Sequence, residues 1–259
     1  MYYKKTTRIN DKIEIEKYPD MRYGAPGMKR EKKKNPTPLE MERQNLWRRC
    51  RYLRRILELN FKGGDLWLTL TCATDKRPDK EEAPKVIRSF RDKLAKEYKK
   101  RGWTFKYIIS CEIGKRGAVH WHMVLNDARD EKVTAWDLIR KYWTRGRPFL
   151  EPLDENRDYK KLAEYIVKEA QKRMEKEQTI EKLSYIMSRN MIKPEEKKEK
   201  VRAVKWKKDS TVPKGYRIKP GTLVNGTNPF TGMPYQHYTL EPLPDYREGG
   251  RDGTRKKAG

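Results

Sequence analysis

Residues 66–72 read LWLTLTC, so Leu66, Leu68, Leu70 and Cys72 fall on one side of an extended chain and Trp67, Thr69 and Thr71 on the other. This period of two predicts a strand. Two further alternating runs, TFKYIISCE and AVHWHMVL, flank the short polar stretch GKRG and predict a β-hairpin. Elsewhere the period is helical. Thr37, Pro38 and Glu40 carry the signals of a helix start, and Leu39, Leu46, Leu53, Ile56 and Leu57 follow at helical spacing. Arg43, Arg48, Arg51 and Arg55 lie mostly on its other faces, predicting a packed helix with a basic outer face. Val86, Phe90 and Leu94 stripe a second helix over about 79–98. Trp136, Ile139 and Trp143 mark a third, over about 134–143, behind Thr134 as its cap, and a fourth spans about 154–174. The order helix, strand, helix, strand, strand, helix, helix predicts an α+β fold, an antiparallel β-sheet with helices packed on one face.

The ends differ from this centre. Residues 1–36 read as a basic N-terminal arm ending in KREKKKNP, a charge run that a solvated tail would equally show. Residues 37–194 form the expected domain and 195–244 a charged, turn-rich extension in which VPKGYRIK and YQHYTL add short strands. Residues 245–259 read as a disordered basic tail. There is no internal repeat and no Walker A pattern, so the chain carries no sign of an ATP-driven motor.

Charge narrows the partner. Lys and Arg number 63 against 37 Asp and Glu, a formal net charge of +26. Such a surplus repels itself unless a polyanion is the partner, and nucleic acid is the first candidate. A membrane is disfavoured, since no apolar run approaches the roughly 20 residues a span requires, and the start MYYKKTTRIN has no signal-peptide core. Cys50, Cys72 and Cys111 are odd in number and include no CxxC pair, which argues against disulfides and a thiolate zinc site and suits a reducing cytoplasm.

Only three histidines are present, and His120 and His122 sit one residue apart on the predicted hairpin. Val119, Trp121, Met123 and Leu125 take its apolar face, so both imidazoles point to the other. Two imidazoles side by side suit a divalent metal, though a pair of surface histidines would look the same. The turn discriminates. A three-residue loop Lys115-Arg116-Gly117, with Gly last in the left-handed position, pairs Glu112 with His120 on one face; a two-residue loop would send Glu112 to the other. With the odd loop, one carboxylate and two imidazoles converge, a set better suited to Mg²⁺ or Mn²⁺ than to structural zinc.

In YKKLAEYIVKEAQK, Tyr159, Leu162, Ala163, Ile166 and Ala170 form the apolar stripe, which assigns Tyr159 to the core. Tyr165 falls off the stripe, in a row with Lys161, Lys168 and Lys172. Cations there favour a phenolate beside a phosphate. The alternative is a surface helix whose lysines hold nucleic acid without chemistry.

Taken together these segments resemble the HUH endonucleases, specifically the rolling-circle replication initiators of small plasmids and filamentous-type phages. LNFKGGDLWLTLT is similar to the family's first motif, CEIGKRGAVHWHMVL to its metal motif and EYIVKEA to its Tyr-x-x-Lys motif; SYIMSRNMIKP is similar to a Ser-Arg-Asn element of such initiators. The resemblance covers about 30–195 and implies a ferredoxin-like sandwich. It also implies a metal held by Glu112, His120 and His122, Tyr165 as nucleophile and Lys168 as its partner; Lys161 and Lys172 of the basic row, with Arg189 of the Ser-Arg-Asn element, are the DNA-binding candidates. The implied substrate is single-stranded DNA at an origin hairpin, with a host helicase and polymerase as partners. Departures are a Cys at position 72, where relatives carry an aromatic, and one convincing tyrosine, since Tyr185 lacks a lysine three residues on. A single-tyrosine transposase, a relaxase using Tyr2 or Tyr3, and a non-enzymatic basic binder remain the alternatives.

Overall fold

The computed structural model describes residues 1–20, 35–79, 81–114, 118–156, 158–177, 185–203, 205–209, 212–228 and 230–244, and over 169–177 only the helical backbone. In chain order the elements are β1 (Tyr2–Ile9), β2 (Lys12–Pro19), α1 (Pro38–Asn60), β3 (Leu66–Leu70), a short 3-10 turn (Thr74–Lys76), α2 (Ala83–Lys100), β4 (Tyr107–Ile113) and β5 (Val119–Leu125). There follow α3 (Ala135–Tyr142), β6 (Pro148–Pro152), α4 (Lys160–Glu177), β7 (Tyr185–Met187), β8 (Glu195–Val201), β9 (Tyr216–Ile218), β10 (Val224–Asn228) and β11 (Met233–Pro242). The chain is α+β, with antiparallel sheets, and divides into two units, residues 38–193 and residues 1–37 with 194–259.

The unit of residues 38–193 is built on a five-stranded sheet in the order β6-β3-β5-β4-β7. Its predicted alternation holds in space. Leu66, Leu68, Leu70, Trp121, Met123, Leu125 and Ile109 face one way and pack on α2 through Ile87, Phe90, Leu94 and Tyr98, and on α3 through Leu138, Ile139 and Trp143. Each such side chain taken from water contributes about 1.5–3 kcal/mol, so this layer is the main source of the unit's stability. Thr134 caps α3 in a reciprocal box: its hydroxyl accepts from the Asp137 N–H, and the Asp137 carboxylate accepts from the Thr134 N–H at 3.0 Å.

The expectation that helices cover one face of the sheet is corrected. Ile108 and Val124, on the opposite face, join Leu53, Ile56 and Leu57 of α1 and Ala163, Ile166 and Val167 of α4 in a second core, with Trp67 half-buried at its margin. That face is apolar at one end and polar at the other, where Thr69, Ser110, Glu112, His120 and His122 lie, so its alternation reads as a wet surface although half of it is dry. The predicted α1 stripe also shortens: Leu39 is exposed and Arg55 is buried. Strands β6 and β7 add two edges that the sequence reading did not contain.

The other unit holds a six-stranded antiparallel sheet, β10-β11-β2-β1-β8 with β9 on β11. The expected N-terminal arm is therefore, over Tyr2–Ile9 and Lys12–Pro19, a hairpin turning at Asn10 with φ 53°. The charged beginning of the extension is likewise a strand, β8, paired with β1. Neither is hydrophobic enough to announce itself; cross-strand charge pairs such as Lys5 with Glu196 at 2.7 Å let polar strands lie side by side. Ile13, Ile15, Tyr238 and Leu240 form the core of this sheet. VPKGYRIK and YQHYTL supply β9 and part of β11. Most of KREKKKNP, and the tail 245–259, lie outside the described residues. Among the described residues no helix is long and apolar enough to cross a membrane.

Candidate active site

The hairpin β4–β5 has the odd-loop register. Gly114 N–H donates to Ala118 O at 2.8 Å, Glu112 stands opposite His120, and Ser110 stands opposite His122. Residues 115–117, the turn itself, lie outside the described residues. The strand β3 completes a row across the sheet, Thr69 beside His122 beside Ser110, all on the face that α4 crosses.

Tyr165 reaches down from α4 onto this row. Its hydroxyl donates to Glu112 Oε2 at 2.8 Å and lies 3.0 Å from His122 Nε2, while Glu112 Oε2 and His122 Nε2 are themselves 2.9 Å apart. The phenol ring stands edge-on to the imidazole, and the Trp67 indole lies parallel to that imidazole with centroids 5.1 Å apart. The remaining nitrogen of His122, Nδ1, meets Thr69 Oγ1 at 3.2 Å. His122 is thus held on three sides and buried, whereas Tyr165 stays about a third exposed. Burial works to raise the Glu112 pKa, but its hydrogen bonds with His122 and Tyr165, and the charge of the histidines, outweigh it and hold the carboxyl below its ordinary range.

This donor set suits a hard divalent cation in its chemistry. Thr69 Oγ1 engages Nδ1 and leaves Nε2 facing the Glu112 carboxylate at 2.9 Å; an imidazole protonated on Nδ1 would offer the Nε2 lone pair, beside that carboxylate, to a cation. His120, opposite Glu112, is the third donor on that face. Among the described residues no three histidine, cysteine, aspartate or glutamate side chains close in on one point; Glu112 and His122 do so as a pair.

The basic residues are spread out. Lys168 is exposed, with its ammonium 3.9 Å from Glu164 Oε2 rather than on Tyr165. Lys161 is exposed on α4, Arg189 is exposed in the turn after β7, and the Lys172 side chain lies outside the described residues. Tyr159 is buried in the second core, and burial pushes the Tyr185 phenol up to about 12. Tyr2 and Tyr3 belong to β1, where Tyr2 packs edge-on to Trp206 and Tyr3 lies under the Lys198 ammonium at 3.8 Å. In the Ser-Arg-Asn segment, Ser188 exchanges hydrogen bonds with Tyr107 and Asn190 donates to Phe105 O, so these two residues tie the segment to β4 and the loop before it.

Residues 65–174 match a family of replication-associated proteins, that of the ORF2 type. The match begins beside β3 and ends in α4, so it takes in Glu112, His120, His122, Tyr165 and Lys168 and leaves out Arg189. It supports a role as a replication initiator. No curated protein and no solved structure matches the chain. Two residues of the site went unrecognised in the sequence, Thr69 and Trp67. Their signal was present, since the alternation of LWLTLT assigns both to the polar face, but the partner across the sheet is not written there.

Proposed function

We propose that this replication-associated chain nicks and rejoins single-stranded DNA at an origin hairpin, with Tyr165 as the nucleophile, to start rolling-circle replication. The observation that carries the reading is the meeting of the Tyr165 hydroxyl with Glu112 Oε2 and His122 Nε2, at 2.8 and 3.0 Å. A phenol on an exposed helix face has no structural need to reach a carboxylate–imidazole pair on a sheet. A phenol that must be aimed at a phosphate does.

Glu112, His120 and His122 would hold a divalent cation, Mn²⁺ or Mg²⁺. When bound, such an ion supplies Lewis-acid polarisation of a phosphate oxygen. The chain's own residues do the rest. Thr69 and the Trp67 ring keep the His122 imidazole in place, so the hydroxyl of Tyr165 is oriented before the strand arrives. The phenolic oxygen forms a bond to phosphorus as the bond to the 3′-oxygen breaks. The phenol proton leaves to a neighbouring base, and the departing oxygen takes up a proton from water as a 3′-OH. The product is a 5′-phosphotyrosyl linkage that conserves the phosphodiester, so a later 3′-OH can reverse it and close a circle. Lys168, one turn along α4, adds positive charge as the phosphate becomes crowded with oxygen. Lys161, Lys172 and Arg189 contribute to holding the strand, and a host helicase and polymerase would extend the freed end.

The test is covalent trapping. Wild-type protein with single-stranded origin DNA and Mn²⁺ gives a protein–DNA adduct that survives denaturation, while Tyr165→Phe gives none yet binds the same DNA. His120→Ala with His122→Ala also gives none. An adduct on Tyr159, Tyr185, Tyr2 or Tyr3 overturns the choice of nucleophile, and nicking by the double histidine variant in the presence of EDTA overturns the role of the metal.

A further inference from the structure

Phe149 is a large apolar side chain that is 52 % exposed, on an edge strand of the sheet that carries the candidate site. Its direction follows from the pairing. Leu150 is opposite Leu68 and packs in the core with α2 and α3, so Phe149, opposite Thr69, projects from the other face. That is the face of His122 and Tyr165. The order β6-β3-β5 sets Phe149, Thr69 and His122 side by side on three neighbouring strands. At about 4.8 Å per strand, Phe149 stands ~10 Å from the His122 backbone position. Three stacked nucleotides, at about 3.4 Å each, cover that span.

Two further observations make this a built feature rather than a stray apolar residue. The Arg147 guanidinium, itself exposed, lies over the Phe149 ring at 5.7 Å, so a planar cation and an aromatic face are offered together. The segment leading into β6, which includes Arg147, is also anchored. Thr71 Oγ1 donates to Arg147 O at 2.9 Å, Ala73 N–H to Arg145 O at 2.8 Å, and Trp143 Nε1–H to Thr71 O at 2.9 Å. Gly146 allows the approach, since a Cβ there would sit 2.4 Å from Thr71 O.

We propose that Phe149 and Arg147 form a stacking subsite for an unpaired nucleobase of the DNA strand that Tyr165 attacks, with Arg147 also meeting the adjacent phosphate. This deepens, and rests on, the reading of the site as one for single-stranded DNA. A base has an apolar face that an exposed phenylalanine can cover, and its backbone carries the charge that Arg147 complements; a duplex offers no such face along its length.

The test uses the full chain in a Tyr165→Phe background with EDTA, so that binding is read without cleavage. The probe is a short oligothymidylate carrying one fluorescent adenine analogue, with a duplex of the same length as control. Phe149→Ala and Phe149→Leu are each expected to weaken single-strand binding by about 5- to 150-fold, the range for loss of one base–aromatic stack. Both are also expected to remove the quenching of the analogue, while Phe149→Trp keeps both and duplex affinity moves little. Because Phe149 is exposed on an edge, the Leu variant keeps the strand folded, which thermal unfolding verifies. Leu binding and quenching like wild type, or equal losses on duplex and single strand, would overturn the subsite. Covalent trapping with Phe149 intact is scored separately. No adduct alongside lost stacking in the variants removes the nicking chemistry and leaves the subsite, and an adduct with unchanged stacking does the reverse.

Discussion

The Thr69 hydroxyl lies on the side of His122 away from Tyr165, yet it sets the ring nitrogen that Tyr165 and Glu112 meet. Oγ1 on Nδ1 at 3.2 Å fixes the ring so that Nε2 faces Glu112 and Tyr165. Thr69→Val removes the hydroxyl and keeps the branched shape on the strand, so the fold should persist. On the proposed role of His122 as a metal ligand, adduct formation and Mn²⁺ affinity should each drop about 10- to 100-fold. Thr69→Ser should restore most of both. A Val variant that binds Mn²⁺ as wild type does would mean that Trp67 alone orients the ring. Gly146 makes a second prediction at this scale. Gly146→Ala places a methyl against Thr71 O, so thermal or urea unfolding should show a loss on the order of 1–3 kcal/mol, with β6 loosened first in hydrogen exchange.

At the scale of elements, one buried carboxylate joins the α1–β3 connection to the end of β5. Asp65, at the start of β3, accepts from Lys62 N–H and from Asp127 N–H, both at 2.8 Å, and so joins the α1–β3 turn to the end of β5. Burial is the largest influence on it and raises its pKa above the ordinary 3.8, more than the two hydrogen bonds lower it. For an acid whose folded pKa is raised, the favourable contribution is fully present below the unfolded pKa and is lost as pH rises through the folded one. The stability of wild type relative to Asp65→Asn should therefore improve as pH falls from 7 toward about 4. Urea unfolding of both proteins across that range checks the sign. A difference that is flat or moves the other way would mean that the two N–H groups, rather than burial, govern the carboxyl.

At the scale of the whole molecule, the unit formed by both ends of the chain depends on pairing between segments far apart in sequence. β1 and β2 are flanked by β8 and β11, and a two-stranded hairpin by itself is marginal in water. Deleting residues 194–259 should therefore strip the β1 and β2 amides of hydrogen-exchange protection. The amides of β3, β4 and β5 should keep theirs, because that sheet is covered by the helices of its own unit. Full protection of β1 in the shortened chain would overturn this dependence.

What the amino-acid sequence determined by itself is what depends on local periods. The period of two assigned Trp121 to the core and His122 to the face opposite, and the odd loop set Glu112 across from His120. The helical period put Tyr159 inside and Tyr165 outside the apolar stripe of α4. Tertiary structure decided what those faces meet. That Tyr165 stands on His122 rather than His120 follows from where α4 crosses the sheet, which is set by Ile166 and Val167 packing with Ile108 and Val124. That Thr69 stands behind His122, and Phe149 beyond Thr69, follows from the strand order β6-β3-β5, which joins segments with no local signal for one another. The same holds for the polar strands β1 and β8: their stability comes from each other and from β2, across most of the chain, so neither segment carried a local strand signal although the two are paired. Side-chain periodicity is a property of neighbours along the backbone, while contact between elements is a property of packing, and the candidate site lies where the two coincide.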